Sequence, residues 1–158
     1  MELRIKKTHP EATIPTRAKP GDSGLDLYAC IPDYGSVYIR SGERLLVDTG
    51  IGVELPAPAN VSWDDDGDMT LTGVEAQVRP RSGLSSKGVD VAFGTVDSGY
   101  RGSIGVVVIN NRWEGYTVRH GDRIAQLVIA PVLYPAPVEV SELSATDRGA
   151  GGFGHTGV

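Results

Sequence analysis

The segment Gly94-Thr-Val-Asp-Ser-Gly-Tyr-Arg-Gly102 sets a carboxylate, Asp97, and a phenol, Tyr100, around a Ser98-Gly99 pair of the kind that turns a chain. An aspartate there can take a proton from water, and a tyrosine ring can pack against a sugar. The same residues also make an ordinary turn. In Arg79-Pro-Arg-Ser-Gly-Leu84 an arginine, a hydroxyl and a glycine follow one another at the start of a short helical turn, Ser82–Lys87, which Ser82 can cap and Gly88 can end. Arg81, Ser82 and Gly83 would then offer a charged fork, a neutral donor and free N–H groups to a phosphate, although Pro-Arg-Ser-Gly is also a plain capped turn.

Further chemistry lies in Gly121-Asp-Arg-Ile-Ala-Gln-Leu-Val128, where Gln126 sits inside an apolar run. A glutamine so placed needs a partner, either a neighbouring backbone group or a phosphate oxygen. The last eleven residues, Arg148-Gly-Ala-Gly-Gly-Phe-Gly-His-Thr-Gly-Val158, carry five glycines, one cation and one aromatic ring, and cannot bury a core of their own. Such a tail is expected to be mobile until a ligand orders it. Arg148 offers donors to phosphate and Phe153 a face for a base to stack on. A merely disordered glycine-rich end is the plain alternative.

The elements that must position these groups are short. With 21 glycines and 10 prolines, the chain is broken too often for long helices, while β-branched runs recur between the breaks. Strands are predicted at Leu3–Lys6, Leu25–Ala29, Ser36–Ile39, Arg44–Val47, Gly52–Leu55, Val74–Arg79, Val89–Phe93, Ser103–Ile109, Tyr116–Arg119, Arg123–Ala130 and Val138–Val140, an all-β sandwich or jelly roll. The turn at Ser98-Gly99 is expected to close a hairpin. Ser103–Ile109 and Arg123–Ala130 are apolar on both faces, which predicts cover on both sides, from a thick core or from another subunit of a symmetric oligomer.

At 158 residues the chain fits one domain. Its 15 basic and 20 acidic residues give a net charge of −5 with no Lys/Arg run, which argues against a grip on nucleic-acid phosphates. Cys30 is the single cysteine, so an internal disulfide is excluded and a reducing, cytoplasmic setting fits. No signal peptide or membrane span is legible, so no membrane association is expected. The insert from Pro56 to Gly73 carries Trp63-Asp-Asp-Asp-Gly-Asp68 and is expected to be a protruding loop or extra hairpin. Its aspartates lack the alternating ligand spacing and closing glutamate of a calcium loop.

Taken together, Asp22-Ser-Gly-Leu-Asp-Leu27, Pro80-Arg-Ser-Gly-Leu84, Gly94 to Gly102, Gly121 to Val128 and Arg148 to Gly157 resemble the five ordered motifs of the trimeric dUTPases. The likeness runs from about Gly21 to the C-terminus, interrupted mainly by the insert. It implies a jelly-roll domain over residues 1–143 and a mobile arm, 144–158, that closes a site on a neighbouring subunit of a homotrimer. It further implies hydrolysis of dUTP to dUMP and pyrophosphate with Mg²⁺, which would limit uracil in DNA.

By motif position, Asp26 matches the residue that holds Mg²⁺ through water. Asp97 matches the general base, Arg81, Ser82 and Gln126 the groups on phosphate oxygens, and Tyr100 the ring beneath the deoxyribose that leaves no room for a 2′-hydroxyl. The backbone around Gly94, Thr95 and Val96 matches the reader of the uracil edge. Arg148 matches the cation on the γ-phosphate, Phe153 the ring over uracil, and Gly154 and Thr156 its neighbours in the closing arm. His155 departs from the family's usual serine, and the span from Leu84 to Gly94 lacks an asparagine that some relatives place near uracil.

Two other readings compete. A dCTP deaminase resembles this pattern in part, but the position of its catalytic glutamate corresponds to Val107 here. A regulatory binding protein would use the insert at 56–73, with Trp63 as anchor for a protein partner.

Overall fold

The computed structural model describes residues 2–56, 60–63 and 69–152. Alternation of buried and outward side chains defines most of its strands. They run β1 Arg4–Lys7, β2 Leu25–Tyr28, β3 Ser36–Ile39, β4 Arg44–Asp48, β5 Ile51–Glu54, β6 Asn60–Trp63 and β7 Met69–Arg79. After the helical turn α1, Ser82–Ser85, come β8 Val89–Val91, β9 Gly94–Val96, β10 Gly105–Asn110, β11 Tyr116–Arg119 and β12 Arg123–Leu133. The class is all-β, a jelly roll, with α1 the one α-helix among the described residues.

A large antiparallel sheet is ordered β2-β12-β7-β6, with β9 also on β7. A second sheet is ordered β4-β10-β8, and the pairs β1-β5 and β11-β3 complete the wall. Leu27, Ala76, Ala125 and Leu127 from the first sheet meet Val106, Val108, Ile51 and Val118 from the others in one core, each at most 1% exposed. Polar groups inside are partnered: Thr49 donates to the Ile104 carbonyl at 2.6 Å, and Asn110 donates to the carbonyls of Ile39 and Glu114.

Several expectations are revised. β9 and β10 flank the Ser98-Gly99 turn but do not pair; β9 joins β7, whereas β10 joins β4 and β8. The turn therefore caps an excursion from the β8/β10 hairpin into the other sheet. The local turn holds, with Tyr100 N–H donating to the Asp97 carbonyl at 3.0 Å. Val138–Val140 is not a strand; it pairs with no other strand among the described residues, and Val138 and Val140 are 78% and 55% exposed, so β propensity alone does not make a strand there.

Ser82 does not cap α1. The capping position is Arg81, whose extended backbone (φ −98°, ψ 125°) follows Pro80 and makes no side-chain cap, so Ser82 is the first helical residue. α1 ends earlier than expected, at Ser85 with Ser86 in the C-cap position, so Gly88, at φ +79°, closes the turn that follows α1 and not the helix itself.

The insert forms a hairpin in its backbone, Asn60 to Trp63 facing Thr72 to Met69. Its acidic residues 64–68 lie outside the described residues. β10 buries Val106, Val108 and Asn110 while Val107 and Ile109 on its other face are half-covered, and on β12 Leu127 and Val128 are buried on opposite faces, with Ile129 half-covered at the edge of the core.

Candidate active site

Asp26 leaves the core because it lies between two inward leucines, Leu25 and Leu27, on β2. It stands directly opposite Gln126 on β12, which in turn stands opposite Arg79 on β7. Residues paired this way share a face, so Asp26, Gln126 and Arg79 form a polar row across the sheet, with Gln77 and Glu75 continuing it along β7 and Thr95 beside Gln77 on β9. The backs of these strands are the core.

The Asp26 carboxylate is 13% exposed and clasped from two sides. Arg81 Nε donates to Oδ1 at 3.0 Å, and Arg123 Nη1 donates to Oδ2 at 3.2 Å. Arg81 is fixed again by Nη1 donating to the Arg123 carbonyl at 3.0 Å. Gln126 Nε2 donates to the Pro80 carbonyl at 2.8 Å, tying β12 to the loop that carries Arg81. Gly24 makes this possible: a Cβ there would stand 2.9 Å from Gln126 Cβ.

Arg123 is a site residue that alternation alone conceals. Arg123 and Gln126 are three apart and would face opposite ways on a regular strand. A bulge intervenes: Arg123 pairs with Tyr28 and Ala125 with Leu27, leaving Ile124 extra. The bulge turns Arg123 onto the Asp26 face while Ile124 and Ala125 are both buried. The sequence signal was the adjacent apolar pair Ile124-Ala125 behind a turn.

Gly94, Thr95 and Val96 lie opposite Val78, Gln77 and Ala76, so β9 starts beside the β7 end that leads to Arg81 and runs away from it. Asp97, past its far end, is exposed and lies about 10 Å along the strand from Gly94. Tyr100 is 46% exposed, its hydroxyl donating to the Ser103 carbonyl at 2.8 Å. Among the described residues no hydrogen bond or ion pair joins the Asp97–Tyr100 turn to the group around Asp26. Ser82 and Gly83 are exposed at the start of α1, beside Arg81.

Arg148 is exposed and donates from Nε to the Gly151 carbonyl at 3.0 Å, within its own segment. Phe153, Gly154, His155 and Thr156 lie outside the described residues.

For a metal, the chain offers one carboxylate here, and among the described residues no three His, Cys, Asp or Glu side chains gather. A carboxylate has about four lone-pair directions, and the guanidinium bonds take one on each oxygen, leaving the others for metal-bound water. That donor set fits Mg²⁺, which keeps its waters and takes phosphate oxygens, better than a metal needing a full protein cage.

The fold and site define an all-β jelly roll with a polar, guanidinium-clasped carboxylate on one sheet face, and comparison gives that class its family. The dUTPase family profile matches residues 10–157. The chain is 44% identical over 158 residues to the deoxyuridine 5′-triphosphate nucleotidohydrolase of Syntrophotalea carbinolica, covering 98% of this chain and 96% of that one. It is 47% identical over 161 residues to the protein of that name from Hydrogenobaculum sp., covering 100% and 99%. Among solved structures, the dUTPase of Staphylococcus bacteriophage 80alpha with dUPNHPP superposes with a TM-score of 0.81 at 25% identity, covering 99% of both chains. The phage phi11 dUTPase, described with a structural Mg(II) ion, shares the fold at a TM-score of 0.74 and 22% identity, covering 92% and 100%. The chain belongs to the dUTPase family.

Proposed function

We propose that this protein hydrolyses dUTP to dUMP and pyrophosphate, as a homotrimer, with Mg²⁺. The observation that carries the reading is the clasp of Arg81 and Arg123 on Asp26 beside Gln126, within a chain that belongs to the dUTPase family.

Arg81 turns its guanidinium from Asp26 toward phosphate, with Ser82 and the N–H groups at Ser82 and Gly83 adding neutral donors. Gln126 adds an amide donor from β12, and Arg148 a charge at the far end of the triphosphate. Asp97 orients a water in line with the α-phosphorus and takes its proton as the new P–O bond forms. The bond from the α-phosphorus to the bridging oxygen breaks, and the electron pair leaves with pyrophosphate. Asp26 would hold Mg²⁺ through water, and the bound ion would supply charge neutralisation for the leaving group. The backbone of Gly94, Thr95 and Val96 reads the uracil edge, Phe153 covers the base, and Gly154 and Thr156 complete the closing arm. Cytosine is refused because its donors and acceptors would stay unpaired.

The separation of the Asp97–Tyr100 turn from the Asp26 group within one subunit supports a site completed between subunits, with residues 144–158 as a mobile arm over it. Outward apolar groups support the trimer: Leu46, opposite Val107 on β10, is 67% exposed, and Phe93 is 60% exposed. Val107 has no titratable group, which disfavours the deaminase alternative. The described residues contain no helix long and apolar enough to cross a membrane, and the buried single thiol fits a reducing cytoplasm.

The test is pyrophosphate release from dUTP, dCTP, dTTP and UTP with Mg²⁺ and with chelator. Release from dUTP, abolished by chelator, is expected; release of ammonia from dCTP, or no preference for dUTP, would overturn the reading.

A further inference from the structure

We infer that Gly102, Ser103 and Asp48 form a seat that fixes the ring of Tyr100, and that this seat, rather than the ring alone, sets discrimination between deoxyribo- and ribonucleotide. The inference rests on the proposed role of Tyr100 beneath the sugar.

Tyr100 is half-exposed at a loop, where a phenol ordinarily samples several rotamers. Here its hydroxyl donates to the Ser103 carbonyl, so the side chain folds back along its own chain and lies over Gly102. The lack of a side chain at 102 is required: a Cβ there would stand 2.6 Å from Tyr100 Cζ and 3.1 Å from Cε2, inside contact distance of the ring.

The acceptor is itself held. Ser103 Oγ donates to Asp48 Oδ1 through a short bond and accepts from Thr8 Oγ1 at 3.2 Å, while Asp48 Oδ1 also accepts from Gly50 N–H at 3.1 Å. Gly52 on β5 lets the Arg101 and Gly102 carbonyls come close, since a Cβ there would stand 3.1 and 3.0 Å from their oxygens. The loop under the ring is thus pinned to β4 and β5, elements that belong to the core.

A ring that can rotate yields to a 2′-hydroxyl; a ring held at its far end cannot. Gly102, Ser103 and Asp48 act as positioning residues, and only Tyr100 would touch the nucleotide. A general loss of stability removes active enzyme for both substrates alike, so the ratio of kcat/KM for UTP to that for dUTP reads the seat and not the fold.

The experiment measures that ratio in the parent, in Gly102→Ala, which displaces the ring, and in Tyr100→Phe, which keeps the ring and removes its tether at an exposed position. The ratio is expected to rise about tenfold in Gly102→Ala and about threefold in Tyr100→Phe. An active parent whose ratio moves less than about twofold in both variants overturns the inference. A parent without dUTP turnover overturns the proposed function and this inference with it.

Discussion

Arg81 reaches Asp26 across 55 residues of chain, Nε to Oδ1 at 3.0 Å, and the same guanidinium spends Nη1 on the Arg123 carbonyl. Both partners are partly screened from water, with side chains 25% and 13% exposed. A planar fork can serve two acceptors at once, whereas an ammonium is a point charge that cannot keep both directions. Arg81→Lys is therefore expected to lower kcat/KM for dUTP by about 10- to 100-fold, some 1.4–2.7 kcal/mol of transition-state stabilisation. The melting temperature should shift by only a few degrees, because Arg123 remains on Asp26 and partly exposed pairs contribute little. Steady-state kinetics beside a thermal melt separate the two effects; a large melting shift with unchanged kcat/KM would make Arg81 structural.

Asp97 differs from Asp26 in being exposed and free of any guanidinium clasp among the described residues. A carboxylate left open in this way suits a group that must exchange a proton with water. Asp97→Asn keeps size and turn chemistry but cannot accept that proton, so kcat should fall by about two orders of magnitude or more. Binding of a nonhydrolysable dUTP analogue, followed by calorimetry, should stay within about threefold of the parent. Full turnover in the variant would remove Asp97 from the mechanism.

The legible parts of this fold are those where one strand's own alternation decides the outcome. Ser36–Ile39 and Tyr116–Arg119 appear as read, and Leu25-Asp-Leu27 puts Asp26 outward by period two alone. What stayed hidden depends on partners. The bulge at Ile124, which aims Arg123, exists only relative to β2, and the crossing of β9 to β7 is a choice of neighbour that a three-residue strand cannot announce. Val138–Val140 shows the converse, good local propensity with no strand paired to it among the described residues. The partnership of Arg81 with Asp26 was equally invisible: Arg81 in its own segment suggested a phosphate contact, and Asp26 entered only through the likeness to the dUTPase motifs.

Gly24 is expected to be as sensitive as any charged residue of the site. Its missing side chain leaves room for Gln126, whose Cβ and Cδ lie 2.9 and 3.1 Å from where a Cβ would stand. Gly24→Ala should cost about 1–3 kcal/mol through overpacking, and displace the amide from the Pro80 carbonyl. In Gly24→Ala/Gln126→Ala the contacts with the amide are gone and only the Cβ–Cβ approach remains, so the double variant should be destabilised by less than the sum of the single changes, while dUTP turnover stays low. Denaturant melts of the four proteins in the cycle measure this coupling. Strict additivity would show that Gly24 and Gln126 act independently.

Cys30 predicts a pH dependence with a defined sign. The side chain is 8% exposed, and burial, helped by the nearby Asp48 and Glu11 charges and opposed by Lys7, pushes its thiol pKa up. In the unfolded chain the thiol ionises near the ordinary value of about 8.5, so above that pH the unfolded state binds fewer protons than the native state. The contribution to stability is then intact below about pH 8 and falls as pH rises through the unfolded value toward the raised native one, with a slope of at most about 1.4 kcal/mol per pH unit. Lysines and tyrosines titrate in the same region, so the quantity to measure is the difference between the parent and Cys30→Ala in denaturant midpoint from pH 7 to 10. The parent should lose stability faster over this range, and iodoacetamide at pH 8 should label native Cys30 far more slowly than the unfolded thiol. Equal slopes for the two proteins together with rapid native labelling would mean that the thiol is open to solvent.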